Sequence, residues 1–194
     1  MLLELSVILI GYLLGSIPSA YIVAKLRRGI DIREVDTGNM GAGSVFRQIG
    51  LLEGTVVSLA DMAKGVAAIL IAQTLGVSQP WLLGAGFAAI LGHCFPIYIG
   101  FRGGQGVATI MGIFFVLAPE AMAIILGLMG IALFFTRRIF SMICIVAPFL
   151  PLLIWLFEGS AMLIFYSLAI IVFVGFRNRY RLKELQVTTG KSKE

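Results

Sequence analysis

The sequence predicts an all-α integral membrane protein with seven transmembrane helices, an N-terminus outside the cell and a C-terminus in the cytoplasm. Its 194 residues are 59% hydrophobic and only 13% charged, whereas soluble domains carry roughly 25% charged residues. Most of its apolar runs approach the ~20 helical residues that cross a bilayer core of about 30 Å. The basic residues gather on one side of these runs, and this asymmetry predicts the orientation.

The apolar runs divide residues 1–194 into the spans of one polytopic membrane domain, without an internal repeat or a separate soluble domain. The run over 107–135 exceeds one ordinary span, and Pro119 and Glu120 near its middle divide it into two helices. The first of these helices, at about 18 Å by helix rise, is shorter than the bilayer core. The predicted spans are residues 3–24, 54–75, 81–99, 107–118, 121–136, 139–157 and 160–176.

The charge pattern supports the division into seven spans. Every Lys and Arg then falls on one side, apart from Lys64, which lies a few turns into the second helix. The other side carries only Glu4, Glu120 and Glu158. Because cytoplasmic loops of membrane proteins are enriched in basic residues, the basic side is the cytoplasmic one. The same rule explains the net charge of +5, and we therefore expect no nucleic-acid partner.

Cysteine and histidine usage predicts no metal site. Cys94 and Cys144 lie in or beside apolar segments and lack the spacing of a metal-binding pair. His93 is the only histidine, and no second His or Cys stands at the spacing that zinc requires.

The segment IGFRGGQGVAT, residues 99–109, places one arginine and four glycines between two apolar runs. Glycines let a ligand approach the backbone closely, and a helix beginning near Val107 would add unpaired N–H groups at its N-terminus. Together with the guanidinium of Arg102, Gly103, Gly104 and Gly106 therefore indicate an anion site, with phosphate as the natural ligand. The alternative is a tight glycine-rich turn between two transmembrane helices.

A second polar segment, DTGNMGAGSVFR over residues 36–47, follows the first span. Thr37 and Asn39 stand among Gly38 and Gly41, and Arg47 follows. A hydroxyl, an amide, a guanidinium and backbone donors suit a phosphoryl oxygen. The alternative is a polar loop that caps the next helix.

Several polar residues interrupt the apolar runs. Asp61 and Lys64, in DMAKG, stand three residues apart on one helix face, so they can neutralise each other. Ionisable residues inside a span are candidates for function, although a purely structural ion pair is the alternative. His93, in GHCFP, is either a general base or a hydrogen-bonded structural residue. Pro18, in GSIPSAY, predicts a kink in the first span and favours packing over chemistry.

The ends of the last spans add further donors, namely Ser141 next to Arg138, and Asn178 next to Arg177. Basic residues there are expected from topology alone. Their convergence with the glycine loops on one membrane face indicates a site for anionic headgroups or phosphates at the cytoplasmic interface, which an acyl chain could enter laterally between helices.

The ordered motifs GSIPSAY, GNMGAGSVFR, DMAKG, GHCFP and FRGGQGVAT resemble the bacterial acylphosphate:glycerol-3-phosphate acyltransferases, the PlsY family. The resemblance implies seven transmembrane helices in the bacterial inner membrane and an active site that faces the cytoplasm. It implies transfer of a fatty acyl group from acyl phosphate to the 1-hydroxyl of glycerol 3-phosphate, giving lysophosphatidic acid. Membrane lipids surround the site, and a soluble enzyme would supply acyl phosphate. No cofactor and no metal is implied.

The resemblance also implies roles for individual residues. The catalytic ones are Thr37, Asn39, Arg47, Lys64 and Gln105. The residues implied to bind substrate or phosphate are Gly38, Gly41, Asp61, His93, Arg102, Gly103, Gly104, Gly106, Ser141, Arg177 and Asn178. An acyl phosphate is a mixed anhydride, so the main tasks are to hold two phosphates close together and to stabilise charge on the carbonyl oxygen. We expect a substrate phosphate oxygen to take the proton of the hydroxyl.

Several positions depart from the family pattern. Gln105 stands where the family motif GGKG has a lysine, which removes a positive charge from the phosphate loop. Thr37 replaces a usual serine, and Gly43 and Ser44 replace Thr-Asn. The tail that begins at residue 177 departs as well. The alternative hypothesis is therefore a non-catalytic or altered-substrate relative that binds phosphate-bearing lipids or transports a small anion.

Overall fold

The structure, a computed structural model, describes residues 1–35 and 40–179. These residues form helices joined by short connections, and no strand occurs among them. A short 3₁₀ helix, Ile97–Ile99, follows the fifth α-helix. The α-helices in chain order are α1 (Leu2–Gly15), α2 (Ser19–Arg28), α3 (Ala42–Gln48), α4 (Leu51–Thr74), α5 (Gln79–Cys94), α6 (Val107–Leu117), α7 (Pro119–Thr136), α8 (Ile139–Val146), α9 (Phe149–Phe157) and α10 (Ala161–Arg177).

Four helical segments of the described residues are long and apolar enough to cross a membrane: Leu2–Arg28, Leu51–Thr74, Gln79–Ile99 and Pro119–Thr136. The pair α8 and α9, bent by 43° at its break, gives a fifth segment if it is counted as one span. Helices α6 and α10 are apolar but shorter. An all-helical membrane protein is thus confirmed, whereas the count of seven spans and the direction of the termini stay predictions.

The first apolar run bends where the sequence predicts a kink. Helix α1 ends at Gly15, and α2 begins at Ser19, immediately after Pro18. Proline has no N–H to continue the helical ladder, and its ring collides with the carbonyl four residues earlier. The hydroxyl of Ser16 donates a 2.8 Å hydrogen bond to the Tyr12 carbonyl. The break turns the Ile17 carbonyl towards the interior, where it accepts a hydrogen bond from the Lys64 side chain.

Helices α1 and α5 approach each other closely because glycines face backbone. A Cβ on Gly11 would collide with the carbonyl of Ala85, and one on Gly15 with that of Ala89. The same relation holds for α4 and α6, where Gly112 faces the backbone of Met62. Small residues of this kind let membrane helices pack at short distance. Helices α1, α4, α5 and α6 therefore form a tight group that fixes the polar ends of α4 and α5.

The later helices enclose apolar space. Helix α6 ends at Leu117 and α7 begins at Pro119, at the proline where the sequence predicts the long run to divide. Helix α7 packs against α6, α8 and α9, and α9 packs against α10. These helices surround a groove that opens beside the glycine loop of residues 99–109.

Candidate phosphate site and apolar groove

A buried ionic cluster lies at the centre of the candidate site. The side chains of Asp61 and Lys64 are 2% and 6% exposed, and Lys64 Nζ lies 2.9 Å from Asp61 Oδ1. His93 reaches the same carboxylate from α5, with Nδ1 3.6 Å from Asp61 Oδ1. Two helices thus converge on one carboxylate. Removing the charge of Asp61 or that of Lys64 would leave the other poorly compensated in a buried environment.

The kink in the first span completes this cluster. Lys64 Nζ donates a 3.1 Å hydrogen bond to the Ile17 carbonyl, a group that an unbroken helix would pair with an N–H of its own next turn. The ammonium therefore ties α4 to the break between α1 and α2. These contacts favour a positioning role for Lys64 over direct contact with substrate.

The glycine loop rests directly on the end of α5. The Gly104 N–H donates a 3.1 Å hydrogen bond to the His93 carbonyl. A Cβ on Gly104 would collide with the His93 imidazole, and one on Gly103 with the His93 carbonyl. Glycine is therefore needed at both positions for the loop to lie this close. A cavity of about 10 Å³ remains between loop and cluster, roughly the room that one water molecule needs. It is lined by Ile17, Pro18, Ser19, Met40, Asp61, Lys64, His93, Pro96, Gly103 and Gly104.

The loop ends at Gly106, where α6 begins. Gly106 is the N-cap residue and has φ +81°, a conformation that L side chains rarely adopt. The first intrahelical bond runs from the Ile110 N–H to the Gly106 carbonyl at 2.9 Å, so the preceding N–H groups of the first turn remain available. Arg102 is exposed and Gln105 is half-buried in the same loop. A helix N-terminus next to a guanidinium favours an anion.

Arg177 holds the loop from the other side. Its Nη2 donates a 3.0 Å hydrogen bond to the Cys94 carbonyl, and its Nε donates a 3.5 Å bond to the Gly104 carbonyl. The guanidinium also lies 4.5 Å from the centre of the Phe95 ring, a favourable cation–π geometry. Arg177 therefore joins the end of α10 to both the end of α5 and the glycine loop.

The polar segment after the first span is described in part. Thr37, Gly38 and Asn39 lie outside the described residues. Gly41 is the N-cap of α3. Arg47 is exposed in the last turn of this helix, and its Nη2 donates a 3.3 Å hydrogen bond to Ser44 Oγ. The Met40 carbonyl lies 3.1 Å from the position of a Cβ on Gly104, so the two glycine-rich segments meet.

Ser141 and Asn178 occupy different surroundings. Ser141 is half-buried in the first turn of α8, and Ile139 of the same turn lies 3.5 Å from the position of a Cβ on Gly43. The start of α8 is therefore adjacent to α3.

Asn178 is buried, and its Nδ2 donates a 2.9 Å bond to the Val174 carbonyl. Its side chain contributes to the apolar groove and is the one polar amide among the groove residues.

The groove has a volume of about 300 Å³, at the lower end of the range for ligand pockets. Its walls come from α6, α7, α8, α9 and α10. They are formed by Val107, Ile110, Met111, Phe114, Met122, Ile125, Met129, Phe140, Ile143, Cys144, Val146, Ala147, Pro148, Leu150, Ile170, Ile171, Val174, Gly175 and Asn178. Such a lining suits a hydrocarbon chain.

Sequence reasoning missed one anchor of the candidate site. Arg33 donates from Nη2 to Asp31 Oδ2 at 2.6 Å and from Nη1 to the Ile99 carbonyl at 3.0 Å. This ion pair keeps the pKa of the Asp31 carboxyl below its ordinary value, because the guanidinium hydrogen-bonds to the charged form. The anchor joins the segment after α2 to the segment after α5. In the sequence, this anchor was indicated only by the close spacing of Asp31 and Arg33 in the segment DIR.

Comparison with known proteins identifies the family of the chain. The chain matches the family model described as glycerol-3-phosphate acyltransferase over residues 5–186. The glycerol-3-phosphate acyltransferase of Endomicrobium trichonymphae is 39% identical and aligns over 95% of this chain and 93% of its own length. That of Geobacter sulfurreducens is 36% identical over 97% of both proteins.

Two solved structures have the same fold. One is PlsY (YgiH), an integral membrane glycerol 3-phosphate acyltransferase, in its glycerol 3-phosphate form. It superposes with a TM-score of 0.87 at 30% identity, over 95% of this chain and 92% of that one. The lysophosphatidic acid form superposes with a TM-score of 0.84 at 29% identity. From the family match and the relatives that align along nearly its whole length, the chain belongs to the glycerol-3-phosphate acyltransferase family.

Proposed function

We propose that this protein transfers a fatty acyl group from acyl phosphate to the 1-hydroxyl of glycerol 3-phosphate, releasing lysophosphatidic acid and phosphate. One observation carries the proposal: the glycine loop connects a polar cluster to an apolar groove. Gly104 lines the cavity above Asp61 and Lys64, and Val107, three residues later, lines the groove. A phosphate on the loop would thus stand where a bound acyl chain begins. The glycerol 3-phosphate and lysophosphatidic acid forms of PlsY support this assignment of substrate and product.

The phosphate groups would be held by the two glycine-rich segments. Arg102 and the N–H groups at the start of α6 supply positive potential on one side. Arg47 on α3 supplies it on the other, with Thr37 and Asn39 assigned by the resemblance alone. Gln105 would contribute a neutral amide donor where related motifs carry a charge. Ser141, at the start of α8, lies near enough to α3 to serve the glycerol 3-phosphate pocket.

The reaction needs little acid–base chemistry from the protein. Phosphate is a good leaving group, so bringing the hydroxyl to the acyl carbonyl and stabilising the developing oxyanion are the main contributions. The hydroxyl oxygen forms the new ester bond, the bond between the carbonyl carbon and the phosphate oxygen breaks, and a phosphate oxygen takes the proton. Asp61, Lys64 and His93 hold the loop in place beneath this step.

The proposed topology follows from the charges. Seven spans, with α6 and α10 as short ones and α8 with α9 as a bent one, put the N-terminus outside and the candidate site at the cytoplasmic face of a bacterial inner membrane. A soluble acyl-phosphate-forming enzyme would then reach the site from the cytoplasm. Reporter fusions at the two termini test the orientation, and reporters on the same side would refute it.

The function is tested with purified protein in lipid bilayers, palmitoyl phosphate and labelled glycerol 3-phosphate. We expect lysophosphatidate and phosphate in equal amounts from palmitoyl phosphate, and none from palmitoyl coenzyme A. Lys64→Ala should abolish turnover. Lys25→Ala should retain it, because Lys25 is exposed and its side chain hydrogen-bonds to the Gly29 carbonyl, away from the buried cluster.

The same assay separates the alternatives. Turnover by the unmodified chain establishes the enzyme and shows that a lysine at position 105 is dispensable. If only Gln105→Lys is active, the scaffold has lost catalysis. Binding of phosphate-bearing lipid or flux of phosphate across proteoliposomes, without turnover, would then favour the binding or transport hypothesis.

A further inference from the structure

Helices α8 and α10 both form walls of the apolar groove but do not pack closely against each other. We propose that the slot between them is a lateral portal, through which the acyl donor enters from the bilayer and in which the distal part of its chain keeps contact with lipid. This inference rests on the acyl transfer proposed above and locates the route by which the lipid substrate arrives. The bend of one span, the exposure of the groove residues and the length of the groove support it.

The slot results from the bend between α8 and α9. Helix α8 ends at Val146, and Pro148, the N-cap of α9, has no N–H with which to continue the helical ladder. The two helices are bent by 43° at this break. Helix α9 packs against both α7 and α10, whereas α8 packs closely against α7 and not against α10. The span therefore covers α10 along α9 and leaves it uncovered along α8, the half that adjoins α3 and the candidate site.

The exposure of the groove residues places the opening on the same side. Among the residues that line the groove, the exposed ones are Cys144 and Pro148, and both belong to the bent span. Across the slot, Gly175 of α10 also lines the groove, and a Cβ added to it would meet no atom within 4 Å. Both edges of the slot are thus open. A hydrocarbon chain can move between groove and bilayer here without crossing water.

The groove is shorter than a membrane-lipid chain. On α6 its residues run from Val107 to Phe114, a rise of about 10.5 Å, and on α10 from Ile170 to Asn178, a rise of about 12 Å, at 1.5 Å per residue. The hydrocarbon of one leaflet, which the chains of membrane lipids fill, is about 15 Å thick, half of the ~30 Å core. A palmitoyl chain whose carbonyl lies at the glycine loop therefore extends beyond the groove. The slot lets its distal carbons remain in lipid.

The portal predicts that long chains are accepted with little discrimination. Carbons that stay in lipid do not change their apolar surroundings on binding, so they contribute little to the free energy of binding. With donor concentrations expressed per bilayer lipid, kcat/KM should differ less than about fourfold between palmitoyl and arachidoyl phosphate, the factor that burying a single CH₂ from water would give. A larger fall would place the chain end inside a closed pocket and overturn the inference.

Gly175→Leu tests the route of entry, because the open space beside Gly175 admits a side chain that would fill the slot. This variant should lower kcat/KM for palmitoyl phosphate at least about tenfold, whereas KM for glycerol 3-phosphate, which arrives from water, should not change. Gly127→Leu is the matched control, since Gly127 on α7 also has no atom within 4 Å of an added Cβ but does not line the groove. It should leave both constants unchanged. Equal kcat/KM values for the two variants overturn the portal.

Photolabelling decides the question if Gly175→Leu does not fold. A non-hydrolysable palmitoyl phosphonate with a photoreactive diazirine at its terminal carbon is bound to the unmodified protein in lipid bilayers. The terminal diazirine should label lipid and the residues of α8 and α10 that border the slot. Labelling of α6 or α7 instead overturns the inference and leaves the acyltransferase intact. Absence of turnover by the unmodified chain with every acyl phosphate overturns the proposed function instead.

Discussion

Replacing Lys64 by methionine tests whether the buried ion pair carries both stability and activity. The side chains of Asp61 and Lys64 are 2% and 6% exposed, and their charged atoms lie 2.9 Å apart. Removing one partner of such a pair leaves an uncompensated charge, which costs about 3–5 kcal/mol. The Ile17 carbonyl also loses one of its two donors and keeps only the Ser19 N–H. Lys64→Met should therefore lower the free energy of unfolding by about 3–5 kcal/mol.

The double variant Asp61→Asn, Lys64→Met separates the two roles. With both charges removed, most of the lost stability should return, because no unpaired charge remains buried. Acyl transfer should stay low in both variants, since neither restores the tie between α4 and the kink of the first span. The free energy is read from SDS titration in mixed micelles, and activity from lysophosphatidate formation.

A surface ion pair supplies the reference. Arg27 and Glu53 lie 3.4 Å apart with side chains 58% and 20% exposed, so Arg27→Ala should cost at most ~1 kcal/mol. A loss for Lys64→Met no larger than for Arg27→Ala would refute the argument from buried charge. Recovery of full turnover in the stable double variant would reduce the pair to a purely structural one.

Three further substitutions probe the glycine loop. Gly104→Ala places a methyl against the His93 imidazole, so kcat/KM for glycerol 3-phosphate should fall at least about tenfold, equivalent to 1.36 kcal/mol; an unchanged value contradicts the close approach. Arg177→Lys keeps the charge but loses the planar guanidinium that reaches both the Cys94 and Gly104 carbonyls. We expect kcat, measured with both substrates saturating, to fall. Full activity would show that only the positive charge of Arg177 is needed. Gln105→Lys adds a positive charge to the loop and should lower KM for glycerol 3-phosphate, with the effect weakening at high salt; a raised KM would show that the amide itself is required.

The helical architecture follows from the sequence because hydrophobic length and charge asymmetry report directly on membrane insertion. The break at Pro119 is an example: a proline near the middle of an overlong apolar run leaves few alternatives. The pairing of Asp61 with Lys64 could also be predicted from the sequence, since both stand on one helix at a spacing that brings them together.

The groove was not predictable in the same way. Phe114 and Met122 belong to stretches that are apolar all round, and in a membrane protein such a stretch faces lipid, another helix or a cavity with the same composition. Which face lines the groove depends on how α7, α8 and α10 pack, and that arrangement depends on many weak contacts. Arg33 was missed because its partner, the Ile99 carbonyl, is far away in the sequence.

The kink at Pro18 shows how a backbone carbonyl completes the buried cluster of the candidate site. The sequence favours a packing role there, because GSIPSAY offers no side chain suited to acyl transfer. Yet interrupting the helix takes the Ile17 carbonyl out of the helical ladder, and it accepts hydrogen bonds from the Ser19 N–H at 3.0 Å and from Lys64 Nζ at 3.1 Å. A buried ammonium requires more than one acceptor to offset its desolvation, and the second acceptor here comes from a broken helix. The candidate site is therefore built from the places where helices are interrupted as well as from the polar side chains that the helices carry.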